Sequence, residues 1–287
     1  MIPGTSSLFR LGIVPLALFF VVFFAYPVLH FLWGSLVVGA GGASSLSLHN
    51  FTDALHSPSV LRSLSATLLL SVLTGVVSLV LGYLLAFQVV RRNAVIGRII
   101  FVAAIASLFT STIARALGWR VLLGFEGPIN NALVAIGLIS QPLQLINNFT
   151  AVAIGMIHIQ VPVVMVGLIP VIEALPRDFE RAAIGLGAPR WKTFLTVHLP
   201  MTWMNAVPVG LIAIMATAAY FTTPVLLGGG RVDVIAIQIQ QASQVLFDFG
   251  YAATLSVMLV AMISAVAVVV LLLTHWRRNV RARGSSS

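Results

Sequence analysis

The sequence predicts an all-α integral membrane protein with about six transmembrane helices, on the evidence of its composition, its long apolar runs and its distribution of charge. Of the 287 residues, 59% are hydrophobic and only 8% are charged, whereas about 25% of the residues of a typical soluble domain are charged. A core of this size cannot bury so many apolar side chains, so a bilayer must solvate many of them. Residues 1–287 are therefore expected to form a single transmembrane domain.

Six apolar runs are long enough to cross a bilayer, which takes roughly 20 mostly apolar residues in a helix. The runs are Leu11–Leu32, Leu64–Val90, Ile99–Leu117, Ala151–Ile172, Val207–Leu227 and Tyr251–Thr274. The first run exceeds the roughly 7–15 residues of a signal-peptide core. We therefore expect a span there, although Val38-Gly39-Ala40 matches a signal-peptide cleavage site.

The basic residues predict that both termini are cytoplasmic. Six spans place both termini on one side, and with that side inside, twelve of the sixteen Lys and Arg residues are cytoplasmic, including those of the basic tail, residues 277–287. The four others are Arg62, Arg115, Arg120 and Arg231. The net charge of +9 is dispersed between apolar runs without a basic stripe, so we expect no nucleic-acid partner.

The residue types needed for catalysis are missing or scattered. The chain has no cysteine, no phosphate-binding glycine loop and no histidine pair with metal-ligand spacing. No serine is placed beside a base as a nucleophile would be. We therefore expect no catalytic residue, no metal and no cofactor in this chain, and an enzyme embedded in the membrane is disfavoured.

The cytoplasmic loop between the fourth and fifth spans, residues 173–200, is predicted to contain a short helix. Pro176 suits a helix entry, Asp178 suits its first turn, and Gly185 and Gly187 suit its end. Its apolar face, spaced i, i+3, i+4 and i+7, consists of Phe179, Ala182, Ala183 and Leu186. So short a helix must be held by packing, either against another protein or on the bilayer surface.

The residues Arg181-Ala182-Ala183, Gly187 and Val197-His198-Leu199-Pro200 resemble the EAA loop of binding-protein-dependent ABC importer permeases. Arg181 stands where that family usually has Glu, and Glu180 precedes it. The resemblance implies that this helix docks in a groove of an ATP-hydrolysing subunit. The docking residues would be Phe179, Glu180, Arg181, Ala182, Ala183, Leu186 and Gly187.

Segments on the predicted outer side are similar to the spermidine/putrescine branch of this family. They include Ser47–Phe51, Arg115–Trp119 and Thr223–Gly229. The resemblance implies import of a polyamine or a related organic amine. It also implies four kinds of partner: the lipid bilayer, a dimer of ATP-binding subunits that holds ATP and Mg, a periplasmic solute-binding protein and a second, different permease.

Polar residues at membrane depth are costly and often functional, which makes a few of them candidates for lining the solute pathway. The candidates are Arg115, Trp119, Tyr220, Thr222 and Thr223. Other interpretations remain open: the arginine can extend to the outer headgroups or contact a docked binding protein, and the two aromatic residues can form an interfacial belt. The threonines can bond to their own helix near Pro224.

An ion-coupled secondary transporter or channel is the alternative function. Such a protein is expected to carry carboxylates or broken-helix repeats inside the membrane. The predicted spans hold no carboxylate well inside the membrane, which disfavours this alternative and also disfavours tight polyamine binding by this subunit. The lone His158 of the fourth span is expected to be a packing residue bonded to another helix rather than a proton relay.

Overall fold

A computed structural model describes residues 5–38, 45–92 and 94–284. Gly39 and Ala40, from the matched cleavage site, and residues 285–287 of the basic tail lie outside this range. The helices are α1 (Thr5–Phe20), α2 (Tyr26–Gly34), α3 (His49–His56), α4 (Pro58–Arg91), α5 (Ala94–Leu108), α6 (Thr112–Leu122), α7 (Pro128–Ala135), α8 (Phe149–Glu173), α9 (Arg177–Gly185), α10 (Arg190–Thr193), α11 (Leu199–Ala218), α12 (Thr222–Gly228), α13 (Ile235–Gln240) and α14 (Phe249–Gly284). Three π-helical segments, Val21–Ala25, Phe194–His198 and Gln241–Val245, connect neighbouring helices.

The first of two units comprises residues 1–62 and 237–261. Within it, α1 continues through a π-helical segment into α2, giving the apolar span Ile13–Gly34. A short antiparallel pair of strands, β1 (Val37–Val38) and β2 (Ser45–Leu46), follows α2. The Thr254 hydroxyl of α14 donates to the Ser35 carbonyl at 3.4 Å, which ties this end of α14 to the end of α2.

The second unit comprises residues 63–236 and 262–287 and contains the main core. The core is formed by side chains of α4, α5, α8 and α11, namely Tyr83, Ala86, Phe87, Ala104, Val164, Met165, Leu168, Ile172, Ala206 and Ala213. Gly82 lies so close to α8 that an added Cβ would meet the Val164 side chain at 2.7 Å. Small residues at such crossings let membrane helices approach closely, so glycine positions in part set the packing of this unit.

The described residues contain six possible membrane spans, which agrees with the predicted number. Five are single helices, Ile13–Gly34, Pro58–Arg91, Phe149–Glu173, Arg190–Ala218 and Phe249–Thr274. The sixth is a pair, α5 and α6, bent by 105° at the intervening residues. The prediction of one uninterrupted third span over Ile99–Leu117 is therefore wrong. Thr110 at the bend bonds back to the Ala106 carbonyl at 3.1 Å, and such local bonds compete with helix continuation.

The fifth span begins and ends earlier than the predicted Val207–Leu227. Its helix starts at Arg190 and continues through the π-helical segment Phe194–His198 into α11, which contains Pro200 in its first turn. The Leu199 N–H bonds to the Phe194 carbonyl. It stops at Ala218, and the chain starts again as α12, with Pro224 in its first turn. Proline suits the first turn of a helix, so Pro224 is compatible with a new helix starting at Thr222, although α8 and α11 also hold prolines inside their spans.

Candidate functional site

The short helix α9 follows α8, and its local sequence determines where it begins. Pro176 precedes the helix with extended backbone angles, φ −59° and ψ 137°. Asp178 and Glu180 lie in the first turn, where the helix dipole favours negative charge. The predicted helix and its start at Pro176 are therefore confirmed.

The end of α9 is a Schellman motif, in which two backbone N–H groups close the last turn. The Gly187 N–H donates to the Ile184 carbonyl at 2.9 Å, and the Ala188 N–H donates to the Ala183 carbonyl at 3.1 Å. Gly187 has φ +87°, in the left-handed region that glycine adopts without steric cost. The sequence prediction that glycine ends this helix is confirmed, and Gly187 is the residue that does it.

Most of the predicted apolar face of α9 is exposed. Leu186 is 89% exposed and Phe179 is 48% exposed, while Ala182 is exposed and Ala183 is half-buried. Arg181 lies on the exposed side as well and forms an ion pair with Asp178 at 3.4 Å. This surface combines apolar and charged groups that a second protein can cover.

Glu180 points the other way, toward the interior. Its carboxylate lies 3.2 Å from Nε2 of His198, whose side chain is only 1% exposed. The ring of Phe87 meets the His198 imidazole edge-on at 4.9 Å, and Phe194 meets Phe87 in the same manner. Glu180 is not part of the apolar face predicted from the sequence, and the structure makes it the contact that joins α9 to the start of α11.

Replacing Glu180 by glutamine is expected to loosen α9. Glutamine can still accept a bond from His198 but carries no charge, and a hydrogen bond to a charged group contributes about 1.5–3 kcal/mol against about 0.5–1.5 kcal/mol for a neutral one. We expect amide hydrogen exchange in α9 to rise severalfold, since such exchange reports local opening. The control is Asp178→Asn, which removes an exposed charge from the same turn. Equal exchange rates in the two variants would show that the Glu180 contact with His198 does not hold the helix.

Arg91, at the end of α4, binds the end of α8. One of its nitrogens, Nη2, donates to the Ile172 carbonyl at 2.8 Å and to the Leu175 carbonyl, so a cation satisfies the free carbonyls of a helix terminus. A cleft of about 650 Å³ lies beside it, lined by Phe87, Gln88, Arg91, Arg92, Ile96, Glu180, Ile184, Arg190 and His198. These contacts connect α9 to the ends of α4, α8 and α11.

A second cluster forms where α6, α8 and α12 meet. Trp119 of α6 contacts His158 of α8 edge-on, with ring centroids 5.7 Å apart, so His158 packs through its ring. Gly155 of α8 lies against α12, since an added Cβ would be 3.0 Å from the Thr223 methyl group. The predicted pathway candidates on α6 and α12 are thus brought to one side of α8.

Tyr220 completes this cluster from the short break between α11 and α12. Its hydroxyl donates to Oε1 of Gln160 at 3.3 Å, and Gln160 is only 1% exposed. Arg115 lies within electrostatic range of both Tyr220 and His158. Thr223 is fully buried, whereas Thr222 is half-buried and Arg120 is exposed.

Sequence reasoning missed two residues of these clusters. Gln160 is a polar residue within a long apolar helix, a signal strong enough to have made it a candidate. His198 was noted only for its place in the loop pattern, because its partner Glu180 lies 18 positions away. The described residues contain no group of three or more His, Asp or Glu side chains suited to a metal ion.

Comparison with protein families gives a match over most of the chain. Residues 78–283 match the family described as "Binding-protein-dependent transport system inner membrane component". This region contains α9 with its flanking spans and every residue of the α6, α8 and α12 cluster.

Individual relatives agree with the family match. The spermidine/putrescine transport system permease protein PotB of Haemophilus influenzae is 24% identical over 237 residues, which cover 83% of this chain and 81% of the relative. PotB of Escherichia coli is 25% identical over 236 residues, or 81% of this chain and 82% of the relative. The crystal structure of a bacterial alginate ABC transporter in complex with a pentasaccharide-bound periplasmic protein contains a chain with the same fold. The TM-score is 0.78, with 18% identity over 96% of each chain.

Proposed function

Because the chain belongs to the family of binding-protein-dependent transport system inner membrane components, we propose that it couples ATP hydrolysis by separate subunits to the passage of a solute. The family consists of inner-membrane permeases of ABC importers, so the chain is a multi-pass permease rather than an enzyme. We further propose which partners it binds, which class of solute it passes, and which residues contact the partners and the solute.

The observation that carries the coupling proposal is the position of α9. The face of α9 that points away from the protein exposes Phe179, Ala182 and Leu186. On the opposite face, Glu180 contacts His198. A helix exposed on one side and fixed to the spans on the other can transmit a movement of a docked subunit. In this proposal a dimer of ATP-binding subunits holds ATP and Mg and receives α9 and its end at Gly187.

The charges of α9 favour a particular kind of contact with the ATPase. Glu180 is directed inward, so the exposed charge beside Ala182 is Arg181, whose side chain is 76% exposed. Its ion pair with Asp178 is surface-exposed, and such pairs contribute little, so Arg181 can exchange partners on docking. We expect it to meet an acidic group of the ATPase groove, where relatives with Glu at this position would need a basic one.

The proposed solute is a polyamine or a related organic amine, delivered by a periplasmic binding protein. The similarity to the PotB proteins supports this class, and the cluster of Arg115, Trp119, Tyr220, Thr222 and Thr223 is its proposed path in this chain. The second permease is expected to be a different chain, as the polyamine branch implies.

Co-purification and transport test this function together. The tagged chain is expressed together with the ATPase, permease and binding-protein genes encoded beside it. It is expected to retain the ATPase and to support solute uptake that requires ATP. A variant of the ATPase that cannot hydrolyse ATP is expected to bind normally and abolish uptake. Uptake by this chain alone, driven by an ion gradient, would contradict the proposal and support a secondary transporter.

A further inference from the structure

Four buried polar atoms in the α6, α8 and α12 cluster have no hydrogen-bond partner within the described part of the chain. They are Nε and Nη1 of Arg115, Nε2 of Gln160 and Oγ1 of Thr223. Leaving a buried polar group unpaired is costly, and more so when the group is charged. Several such groups close together call for an explanation, and an unfilled binding site is one.

The three nitrogen atoms are donors. The Tyr220 hydroxyl bonds to Oε1 of the Gln160 amide, which leaves the N–H₂ group unpaired in this orientation of the side chain. The guanidinium of Arg115 can only donate. The cluster therefore offers one positive charge and several N–H groups, and it has no anionic acceptor for them.

The cluster lies at a depth suited to a solute site. With a rise of 1.5 Å per residue, Gln160 lies about 16 Å from the first residue of α8, a helix about 37 Å long. Gly155, which packs against Thr223, is about 7 Å nearer that end. Polar groups near the middle of a span are costly and mark substrate pathways.

No carboxylate of the surrounding helices can neutralise Arg115. The chain has seven acidic residues, and on α6, α8, α11 and α12 the only one is Glu173, the last residue of α8. Glu173 is 13 positions from Gln160, or about 20 Å along the helix. These helices therefore supply no anionic partner for Arg115 near Gln160, and a bound solute can supply one.

We propose that these donors bind a carboxylate or a similar anionic group of the solute. The inference rests on the proposed function, because it assumes that a solute passes this cluster, and it narrows the solute class. A purely cationic polyamine would place ammonium groups beside an unpaired guanidinium, which is repulsive. The solute expected here is an organic amine that also carries an anionic group, with the aromatic ring of Trp119 available to its ammonium end.

Charged thiol reagents test this inference without requiring transport. Since the chain has no cysteine, Thr222→Cys supplies a single thiol beside Thr223. Membranes with the complete importer are treated with sulfonatoethyl or trimethylammonioethyl methanethiosulfonate, and each labelling rate is divided by that of a free small thiol. We expect the anionic reagent to be favoured about tenfold, and we expect Arg115→Gln to remove the preference.

Arg120→Gln is the matched control, because it removes an exposed arginine from the same helix. It is expected to keep most of the preference for the anionic reagent. His158→Cys gives a second labelling position within electrostatic range of Arg115, in case Thr222→Cys folds poorly. Added 4-aminobutyrate is expected to slow labelling more than putrescine, which has the same four-carbon chain but two amines.

Two outcomes would overturn the inference while leaving the permease function intact. One is equal labelling of Thr222→Cys by the two reagents, or faster labelling by the cationic reagent, when Arg115 is unchanged. The other is release of the second permease from the complex by Arg115→Gln, which would identify a protein carboxylate as the acceptor. Failure of the importer assignment itself would be seen separately, as loss of ATPase co-purification from the unmodified chain.

Discussion

Replacing Ala182 by tryptophan is expected to remove the ATPase from the purified complex and to reduce uptake to background. Ala182 lies on the exposed side of α9, between Phe179 and Leu186, where a small side chain lets another surface approach closely. Protein interfaces are packed as tightly as interiors, so an indole group at this position must separate the two surfaces. Each 1.4 kcal/mol lost is a tenfold weaker complex, and we expect at least a tenfold loss of co-purified ATPase.

Ala135→Trp is the matched control for this change. Ala135 is also an exposed alanine in a helix, at the end of α7, on the predicted outer side of the membrane. The control and Ala182→Trp are both expected to reach the membrane in normal amounts, as measured by immunoblotting. Normal ATPase retention and uptake by Ala182→Trp would show that α9 is not the docking helix.

The parts of the fold that the sequence predicted are those determined by local properties. Apolar runs set the number of spans because the bilayer imposes one length on all of them. The start and end of α9 followed from Pro176 and Gly187, whose backbone preferences act within a few residues. The family resemblance was confirmed for the same reason, since its pattern is a local spacing.

The missed features depend on contacts distant in sequence or on local competition within a span. The break after Leu108 lies beside Thr110, whose hydroxyl bonds to the Ala106 carbonyl, and hydrophobicity alone does not detect it. The direction of Glu180 is set by His198, which α11 brings beneath α9. The bond between Tyr220 and Gln160 joins residues 60 positions apart.

One helix connects the two candidate sites. His198 lies at the start of α11 and Tyr220 lies two residues beyond its end at Ala218. The helix between them is about 30 Å long, and its middle packs in the core against α8. One end of α11 therefore adjoins the contact between Glu180 and His198, and the other end precedes Tyr220, which bonds to Gln160.

Replacing Gly187 by valine is expected to disrupt docking as strongly as a bulky residue on the exposed face does. Gly187 has φ +87°, and for a side chain branched at Cβ that conformation costs about 1–3 kcal/mol. No atom lies within 4 Å of a Cβ built at this position, so the effect comes from the backbone rather than from a clash. Loss of this turn opens the last hydrogen bonds of α9 and redirects Leu186. ATPase retention and uptake are expected to fall at least tenfold, while the amount of chain in the membrane is unchanged.

Gly187→Asn separates the backbone requirement from side-chain size. Asparagine is close to valine in size but adopts the left-handed region far more readily, so Gly187→Asn is expected to retain most ATPase binding and uptake. If both variants lost binding equally, the side chain itself would be obstructing the partner surface. If both transported normally, the end of α9 would play no part in docking, and the coupling assignment of Gly187 would be wrong.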